Sequence, residues 1–269
     1  MTDSNQNKTN SDLDLYIFHK SVHMQVILQG LQRAIGTLND QSCLAIGSPN
    51  AMMSYQLRAG GGFWKELVFD AETAEKVKEL TDDDEIKLFN NKKPLPYSGK
   101  CFDIIVIMDG FPKHKSDYDF VEMCHKLLNS DGRIIVCVPR EKKMSIIGPL
   151  RALFGLSTDV YSERRLFDIL KNGFDVMQMR SSSRFFVEFI NTIACGMTNK
   201  HQEIDISAQM KLYKILSPFY WIAYQLDLLI FLTRGHRLIA SAKRHAWRSR
   251  DAPILSDGRS ISAAVLKPL

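Results

Sequence analysis

The chain has 269 residues, of which 45% are hydrophobic and 24% are charged, and its net charge is +5 at pH 7. This composition is typical of a globular protein, and so small a charge does not by itself indicate a nucleic-acid partner. The cysteines are widely spaced and include no C-x-x-C pair, which argues against a zinc site and for free thiols in a reducing compartment. They are Cys43, Cys101, Cys124, Cys137 and Cys195.

Residues 1–12 are polar and of low complexity, which predicts a disordered N-terminus ahead of one domain over residues 13–248. The first residues lack the apolar segment of a secretory signal, so we expect a cytoplasmic protein. From Leu13 to Asn39, apolar residues recur at helical spacing. That spacing predicts one or two helices that cover an edge of a sheet.

The next stretch predicts a strand–turn–helix–strand unit. Ser42–Gly47 and Glu66–Asp70 are apolar runs typical of buried strands, and Asn50–Ala59 between them is typical of a helix. A dinucleotide-binding loop would have G-x-G-x-x-G at the turn, and here Gly47 is the one glycine. The order of elements therefore indicates a nucleotide-type site with an altered loop.

Further strands alternate with helices along the chain, which predicts a parallel sheet with right-handed crossovers. These strands are Glu85–Phe89, Phe102–Met108, Arg133–Val138 and Phe174–Met179. Ligands of such sheets bind at the carboxyl ends of the strands. Gly47, Asp70, Asn91 and Asp109 all stand at such ends, on four different strands. We therefore expect these four residues to meet at one binding site.

Asp70 has two interpretations. An acid at the tip of the second strand can accept hydrogen bonds from both hydroxyls of a ribose, and its distance from Gly47 in the sequence fits that role. Asp70 also precedes a predicted helix that begins at Ala71, so it fits the N-cap position of that helix. The two roles are compatible.

With these elements in order, the sequence resembles the class I S-adenosylmethionine-dependent methyltransferases. The resemblance covers about residues 40–180 and resumes at His236–Lys243. Its segments are LAIGS, LVFDA, NNKKPLPYSGKCFDIIVIMDG, LLNSDGRIIVCVP, SERRLFDILKNGFDV and GHRLIASAKR. The nearest branch is the small-molecule one that contains quinone and lipid methyltransferases. The resemblance implies an α/β, Rossmann-like fold with seven mostly parallel strands, helices on both faces and an antiparallel last strand.

The same resemblance implies S-adenosylmethionine as cofactor and a set of cofactor-binding residues. The set is Gly47, Ser48, Asp70, Ala71, Asn91, Asp109 and Gly110. The first two would lie against the methionine part, Asp70 would bind the ribose, and Asn91 would read the adenine amino group. The last two would border the methyl group and the substrate. No metal is expected.

Three residues depart from the family's loop. Ala45 replaces an acid, and Pro49 and Ala51 replace glycines. Proline removes a backbone donor, and the alanine methyl group hinders close approach of the backbone to a ligand. The glycine loop is thus degenerate, which leaves two hypotheses: an active enzyme, or an inactive methyltransferase-like scaffold or partner subunit.

His19, His23 and His114 are candidate catalytic bases, and His114 is chosen because it follows the fourth strand of the predicted sheet. The alternative is a solvated loop residue within FPKHKSD. If the chain is an enzyme, we expect it to methylate an apolar small molecule such as a quinone or a lipid. The chain lacks an N-P-P-Y-like motif for flipped bases, so we expect no nucleic-acid substrate.

Residues 184–235 form a predicted helical, aromatic-rich insertion. Within it, residues 212–232 read as two short helices that meet at Ser217-Pro218, and Asp227 argues against a membrane-spanning helix. The insertion suits a lid over the substrate, and residues 212–250, which end in several basic residues, suit peripheral contact with an anionic membrane. The alternative is that the helices pack on the domain core. The tail, residues 249–269, has no clear period.

Overall fold

The computed structural model describes residues 13–81, 86–89, 95–112, 116–141, 147–155, 159–200, 206–229 and 235–248. Asn91, His114 and the tail 249–269 lie outside the described residues, as does the predicted disordered segment 1–12.

The described residues form a seven-stranded sheet in the order β3-β2-β1-β4-β5-β7-β6. Strands β1 to β5 pair in parallel, whereas β7 runs antiparallel to both of its neighbours, β5 and β6. The predicted mostly parallel sheet with an antiparallel last strand is confirmed. The strands are β1 Ser42–Ile46, β2 Phe63–Val68, β3 Lys87–Leu88, β4 Phe102–Ile107, β5 Leu128–Pro139, β6 Phe174–Ser182 and β7 Arg237–Arg244.

Helices cover both faces of the sheet, also as predicted. The bounds are α1 13–20, α2 Val22–Ile35, α3 Ala51–Arg58, α4 Ala71–Thr81, α5 Asp117–Leu127, α6 Ile147–Leu153, α7 Glu163–Leu170, α8 Phe185–Lys200 and α9 Ile206–Leu229. Helices α5 and α7 pack on one face, and α2 and α3 pack on the other. Helices α8 and α9 join β6 to β7 and form a third apolar cluster with α1.

Strand β4 shows why the central strands read as unbroken apolar runs. Ile105 and Ile107 pack towards α5 and α7, whereas Ile104 and Val106 pack towards α2 and α3. All four side chains are fully buried. Because a parallel strand in this position is covered on both faces, it needs apolar residues at every position and not at alternate ones.

Helix α9 runs without a break through Pro218, so the prediction of two short helices that meet at Ser217-Pro218 is wrong. Tyr213 lies before the proline, and Tyr220 and Ala223 lie after it, and all three are buried in the same cluster with α8 and α1. Packing on both sides of Pro218 holds the helix together, although a proline in a helix interior costs about 3 kcal/mol.

Replacing Pro218 with alanine is therefore expected to stabilise the protein. The variant restores a backbone donor in α9, and the gain is offset in part by about 1 kcal/mol because the unfolded chain becomes less restricted. We expect the free energy of unfolding in urea to rise by about 1–2 kcal/mol. Ser217→Ala, in the same turn, is the matched control, with an expected change of about 0.5 kcal/mol or less. A less stable Pro218→Ala variant would show that α9 needs the proline.

Asp227 supplies the N-terminal cap of α8 from the last turn of α9. Its two carboxylate oxygens accept hydrogen bonds from the backbone amides of Phe186 (2.9 Å) and Val187 (3.0 Å). The first backbone amides of a helix need acceptors, and they compensate the negative charge of the buried Asp227 carboxylate. Within the described residues, no helix combines the length and the apolar character that crossing a membrane requires.

Candidate functional site

The carboxyl ends of the parallel strands open into a cavity of about 560 Å³. Its wall includes Gly47, Ser48 and Pro49 after β1, Phe69 and Asp70 after β2, Phe89 after β3, Asp109, Gly110, Phe111 and Pro112 after β4, and Pro139 in β5. This is the edge at which open α/β sheets bind ligands, and the volume lies within the range of small-molecule sites. We call it the strand-end cavity.

The structure brings most of the predicted cofactor residues together here. Gly47, Ser48, Asp70, Asp109 and Gly110 all line the strand-end cavity. Ala71 begins α4, where it is exposed, and it is not among the described residues of the cavity wall. The part that these residues take in cofactor binding stays a prediction, as does the role of Asn91 and His114 outside the described chain.

Gly47 meets a local requirement for glycine. Its φ of +65° lies in the left-handed region, and a Cβ atom at this position would collide with the ring of Phe69. The backbone N–H of Gly47 donates to the carbonyl of Leu67 (2.9 Å). A glycine is therefore required at the point where the chain leaves β1 and passes next to the ring of Phe69.

Glu66 anchors this loop from below, a role that the sequence pattern does not indicate. It stands beside Ala45 in the paired strands and is fully buried. Its carboxylate accepts hydrogen bonds from the hydroxyls of Ser48 and Ser54, and the Arg58 guanidinium lies 3.3 Å away. An acid absent at position 45 is thus present on the neighbouring strand. The available signal was the one acidic residue of strand β2.

Burial raises the pKa of the Glu66 carboxyl above its ordinary value near 4.5, and the hydrogen bonds from Ser48 and Ser54 offset that effect only in part. The folded protein therefore retains a proton that the unfolded chain releases. The stability that this proton provides is fully present below pH 4.5 and is lost as the pH rises towards the pKa of the folded state.

Glu66→Gln removes this pH dependence. We expect the variant to gain stability relative to the wild type as the pH rises above 4.5, by up to about 1.4 kcal/mol for each pH unit until the pKa of the folded state is passed. Urea unfolding of both proteins between acidic and neutral pH measures the difference. Glu72→Gln, at an exposed acid of α4, is the control, and its difference from the wild type should stay nearly flat. A gain by Glu66→Gln towards low pH would contradict the assignment.

Asp70 is an exposed residue on the rim of the cavity and caps α4. One carboxylate oxygen accepts from the backbone amide of Thr73 (2.7 Å), and the other accepts from the Thr73 hydroxyl (2.9 Å). Each oxygen has a second acceptor site, so both can still receive hydrogen bonds from a ligand. The cap that the sequence predicted is present, and it leaves the ribose role open.

Asp109 forms an ion pair that the sequence pattern does not indicate either. Its carboxylate accepts from the guanidinium of Arg237, which is buried at the start of β7. Burial lowers the pKa of Arg237, but the nearby carboxylates of Asp109 and Glu188 outweigh burial and hold it above its ordinary value. Arg237 was expected among the basic residues of a membrane surface. It lies instead inside the protein and compensates the charge of Asp109.

A buried polar cluster supports the cavity from the side of α8. Glu188 accepts from the Ser183 hydroxyl (2.9 Å) and lies 3.1 Å from His23 Nδ1 and 3.5 Å from a guanidinium nitrogen of Arg151. Burial alone would raise the pKa of Glu188, but His23, Arg237 and Arg151 together lower it well below its ordinary value. Since Arg151 also lines the strand-end cavity, the cluster ties the cavity wall to α2 and α8.

The part of the wall beyond Asp109 is aromatic. The rings of Phe111 and Tyr161 meet edge to face with centroids 5.5 Å apart. The Tyr161 hydroxyl donates to Asp117 (3.3 Å), and burial raises its pKa above the ordinary value, so the ring stays neutral. The described residues include no group of His, Cys, Asp and Glu that could hold a metal ion.

Comparisons with known proteins identify the fold. No protein-family model and no curated protein sequence matches the chain. Among solved structures, geranyl diphosphate C-methyltransferase from Streptomyces coelicolor, in complex with S-adenosyl-L-homocysteine, superposes with a TM-score of 0.54 and 11% identity, over 81% of this chain and 75% of that one. The chain has the class I methyltransferase fold.

Two other structures show how far this likeness extends. A protein from Galdieria sulphuraria, provisionally assigned as a sarcosine dimethylglycine methyltransferase, gives a TM-score of 0.53 at 14% identity, over 86% of this chain and 97% of that one. The [4+2]-cyclase SpnF gives 0.52 at 10% identity, over 87% and 80%. A methyltransferase fold thus also occurs in a cyclase, so the site must decide the reaction.

Proposed function

We propose that the strand-end cavity binds S-adenosylmethionine and that the chain transfers its methyl group to an apolar small molecule. The observation that carries the proposal is the meeting of Gly47, Ser48, Asp70, Asp109 and Gly110, from three strand ends, at one cavity. Gly47 and Ser48 would hold the methionine part, and Asp70 would hold the ribose. The cofactor supplies a methyl group on a positively charged sulfur.

The residues present fit this cofactor. Arg237 compensates the charge of Asp109, but Asp70 and Asp159 also line the cavity, where Arg151 is the described cation, so carboxylates still predominate around a ligand of positive charge. The altered loop is also well ordered by other means. Asn50 caps α3 through a hydrogen bond from Met52 N (2.7 Å), and Glu66 holds Ser48. The missing glycines therefore change how the loop is held, and they leave the cavity open.

The aromatic wall supports the choice of acceptor. Phe111 and Tyr161 would contact an apolar or aromatic molecule at the side of the cavity next to Asp109. Transfer would depend mainly on holding the acceptor in line with the methyl group. A nearby base, such as Asp159 or the predicted His114, would take a proton from an acceptor hydroxyl. A hydroquinone or a hydroxylated lipid intermediate carries such a hydroxyl, which would lose its proton to the base as its oxygen takes the methyl group and S-adenosylhomocysteine leaves.

One observation favours the alternative, an inactive scaffold or partner subunit. Both acids that face the cavity from the ends of β2 and β4 are engaged within the protein, Asp70 with Thr73 and Asp109 with Arg237. Such bonds would stabilise the fold of a chain that binds no cofactor.

Calorimetric titration with S-adenosylmethionine and S-adenosylhomocysteine separates the two. Saturable binding of both supports the enzyme, and transfer of a labelled methyl group to quinone and lipid acceptors then tests the substrate class. Absence of heat with either ligand at millimolar concentration would refute cofactor binding and leave the scaffold.

A further inference from the structure

We infer that the exposed side of α9, together with an arginine-lined cavity beside it, binds the surface of an anionic phospholipid membrane. This inference does not depend on methyl transfer, because none of its residues lies in the strand-end cavity.

Helix α9 exposes far more apolar surface than a solvated helix does. Between residues 213 and 229, only Tyr213, Tyr220, Ala223 and Asp227 are buried. Trp221 is 62% exposed and Leu229 is 73% exposed. Apolar patches of this kind mark sites of interaction with proteins or membranes. The α9 face consists of Ile215, Phe219, Trp221, Ile222, Tyr224, Leu226, Leu228 and Leu229.

A second cavity, of about 260 Å³, lies between α2, β6, β7 and α9. Arg33, Arg180 and Arg184 line it, and we call it the arginine cavity. Within the described part of the chain, the side chains of Arg33 and Arg180 make no hydrogen bond or ion pair. Ser181 and Ser182 also line it. Guanidinium groups and hydroxyls are the donors that bind phosphate oxygens.

The apolar face and the arginine cavity are continuous. Tyr224 and Leu228 belong to the α9 face and also line the arginine cavity. A lipid surface offers both environments side by side, acyl chains for the apolar residues and phosphates for the arginines. Trp221 and Tyr224 have the amphipathic rings that favour the boundary between the two.

The charges of α9 point the same way. The exposed charged residues of the helix, within its described side chains, are Lys211 and Lys214. Its acid, Asp227, is buried and caps α8. The face that would meet the membrane therefore carries no described carboxylate to repel an anionic surface.

Flotation of the full chain with vesicles tests the inference. We expect binding to phosphatidylcholine vesicles that contain phosphatidylglycerol, much weaker binding to phosphatidylcholine alone, and a loss of binding at high salt. A chain that stays in the bottom fraction with both vesicles would refute the inference.

Variants assign the contact. Arg33→Gln with Arg180→Gln is expected to lower partitioning onto the anionic vesicles about 30-fold, since each basic residue at such a surface contributes about 5-fold. Lys126→Gln with Arg164→Gln removes the same charge on α5 and α7, the opposite face of the sheet, and should leave partitioning unchanged. Trp221→Ser should weaken binding to both kinds of vesicle. Circular dichroism confirms that each variant folds.

Three outcomes would contradict the inference. The first is equal loss in the arginine pair and its control. The second is that calorimetry detects binding of inorganic phosphate to the arginine cavity while the protein does not bind either kind of vesicle. The third is a dimer in solution that Trp221→Ser dissociates without effect on vesicle binding, which would make the α9 face an interface with a second copy.

Discussion

Replacing Glu188 with glutamine is expected to lower the free energy of unfolding by about 3 kcal/mol at neutral pH. The buried carboxylate faces His23, Arg151 and Arg237, and the variant leaves buried cations without their counter-charge. Removal of one partner from a buried ion cluster typically costs about 3–5 kcal/mol. Urea unfolding of wild type and variant measures the loss.

The sign of the pH dependence gives a sharper test. The pKa of Glu188 in the folded protein lies below its ordinary value near 4.5. Its contribution to stability is therefore present above pH 4.5 and is lost as the pH falls towards the pKa of the folded state. The difference in free energy of unfolding between the wild type and Glu188→Gln should become smaller as the pH falls. Relative to the wild type, Glu188→Gln therefore gains stability towards low pH, whereas Glu66→Gln gains stability towards high pH. Both acids can be followed against the same wild-type curve.

Glu122→Gln is the control for Glu188. Glu122 forms an ion pair with Lys126 on the surface of α5, where such pairs contribute under about 1 kcal/mol. If Glu188→Gln loses no more stability than Glu122→Gln, or if its loss of stability grows as the pH falls, then Glu188 is not ionised in the folded protein.

Replacing Asp70 with alanine is expected to weaken S-adenosylmethionine binding on the order of 100-fold, if the proposed function is correct. Each hydrogen bond between a carboxylate and a ribose hydroxyl contributes about 1.5–3 kcal/mol. The same variant removes the cap of α4 and should cost about 1 kcal/mol of stability. Calorimetric titration measures the first effect, and urea unfolding measures the second.

Two further variants separate the role of Asp70 as a helix cap from its proposed role in cofactor binding. Asp70→Asn keeps a good N-cap, so its stability should match the wild type while its affinity falls about 10-fold with the loss of charge. Ser162→Ala removes the cap of α7, where Ser162 accepts from Arg165 N (3.1 Å), and should lose stability with no change in affinity. Equal affinities across all three variants would exclude Asp70 from the cofactor site.

The sheet could be predicted because its signals are local. Strands β1 and β4 are largely apolar runs bounded by turn residues, and burial on both faces makes such runs continuous. Helix α9 could not be predicted correctly, because its continuity through Pro218 depends on contacts of Tyr213 and Tyr220 with α8 and α1. Local propensity predicts a break there, and tertiary packing prevents it.

Some residues of the strand-end cavity could likewise be predicted from the sequence, and others could not. Gly47, Asp70 and Asp109 could be placed, because topology alone brings the ends of neighbouring parallel strands to one edge. Arg237 could not, because it reaches Asp109 across 128 positions of sequence through the antiparallel β7. Its charge suggested a solvated surface, and nothing in the neighbouring sequence indicates that Arg237 is buried and pairs with the carboxylate of Asp109.

The cap that Asp227 provides couples the unfolding of α8 to the unfolding of α9. The amides of Phe186 and Val187 at the start of α8 find their acceptor in the last turn of α9, so α9 cannot unwind there without exposing the beginning of α8. The insertion should consequently open as a single cooperative unit, with amides of both helices exchanging with deuterium at a shared rate. If the α9 face lies on a membrane, lipid contact would slow exchange in α8 as well as in α9.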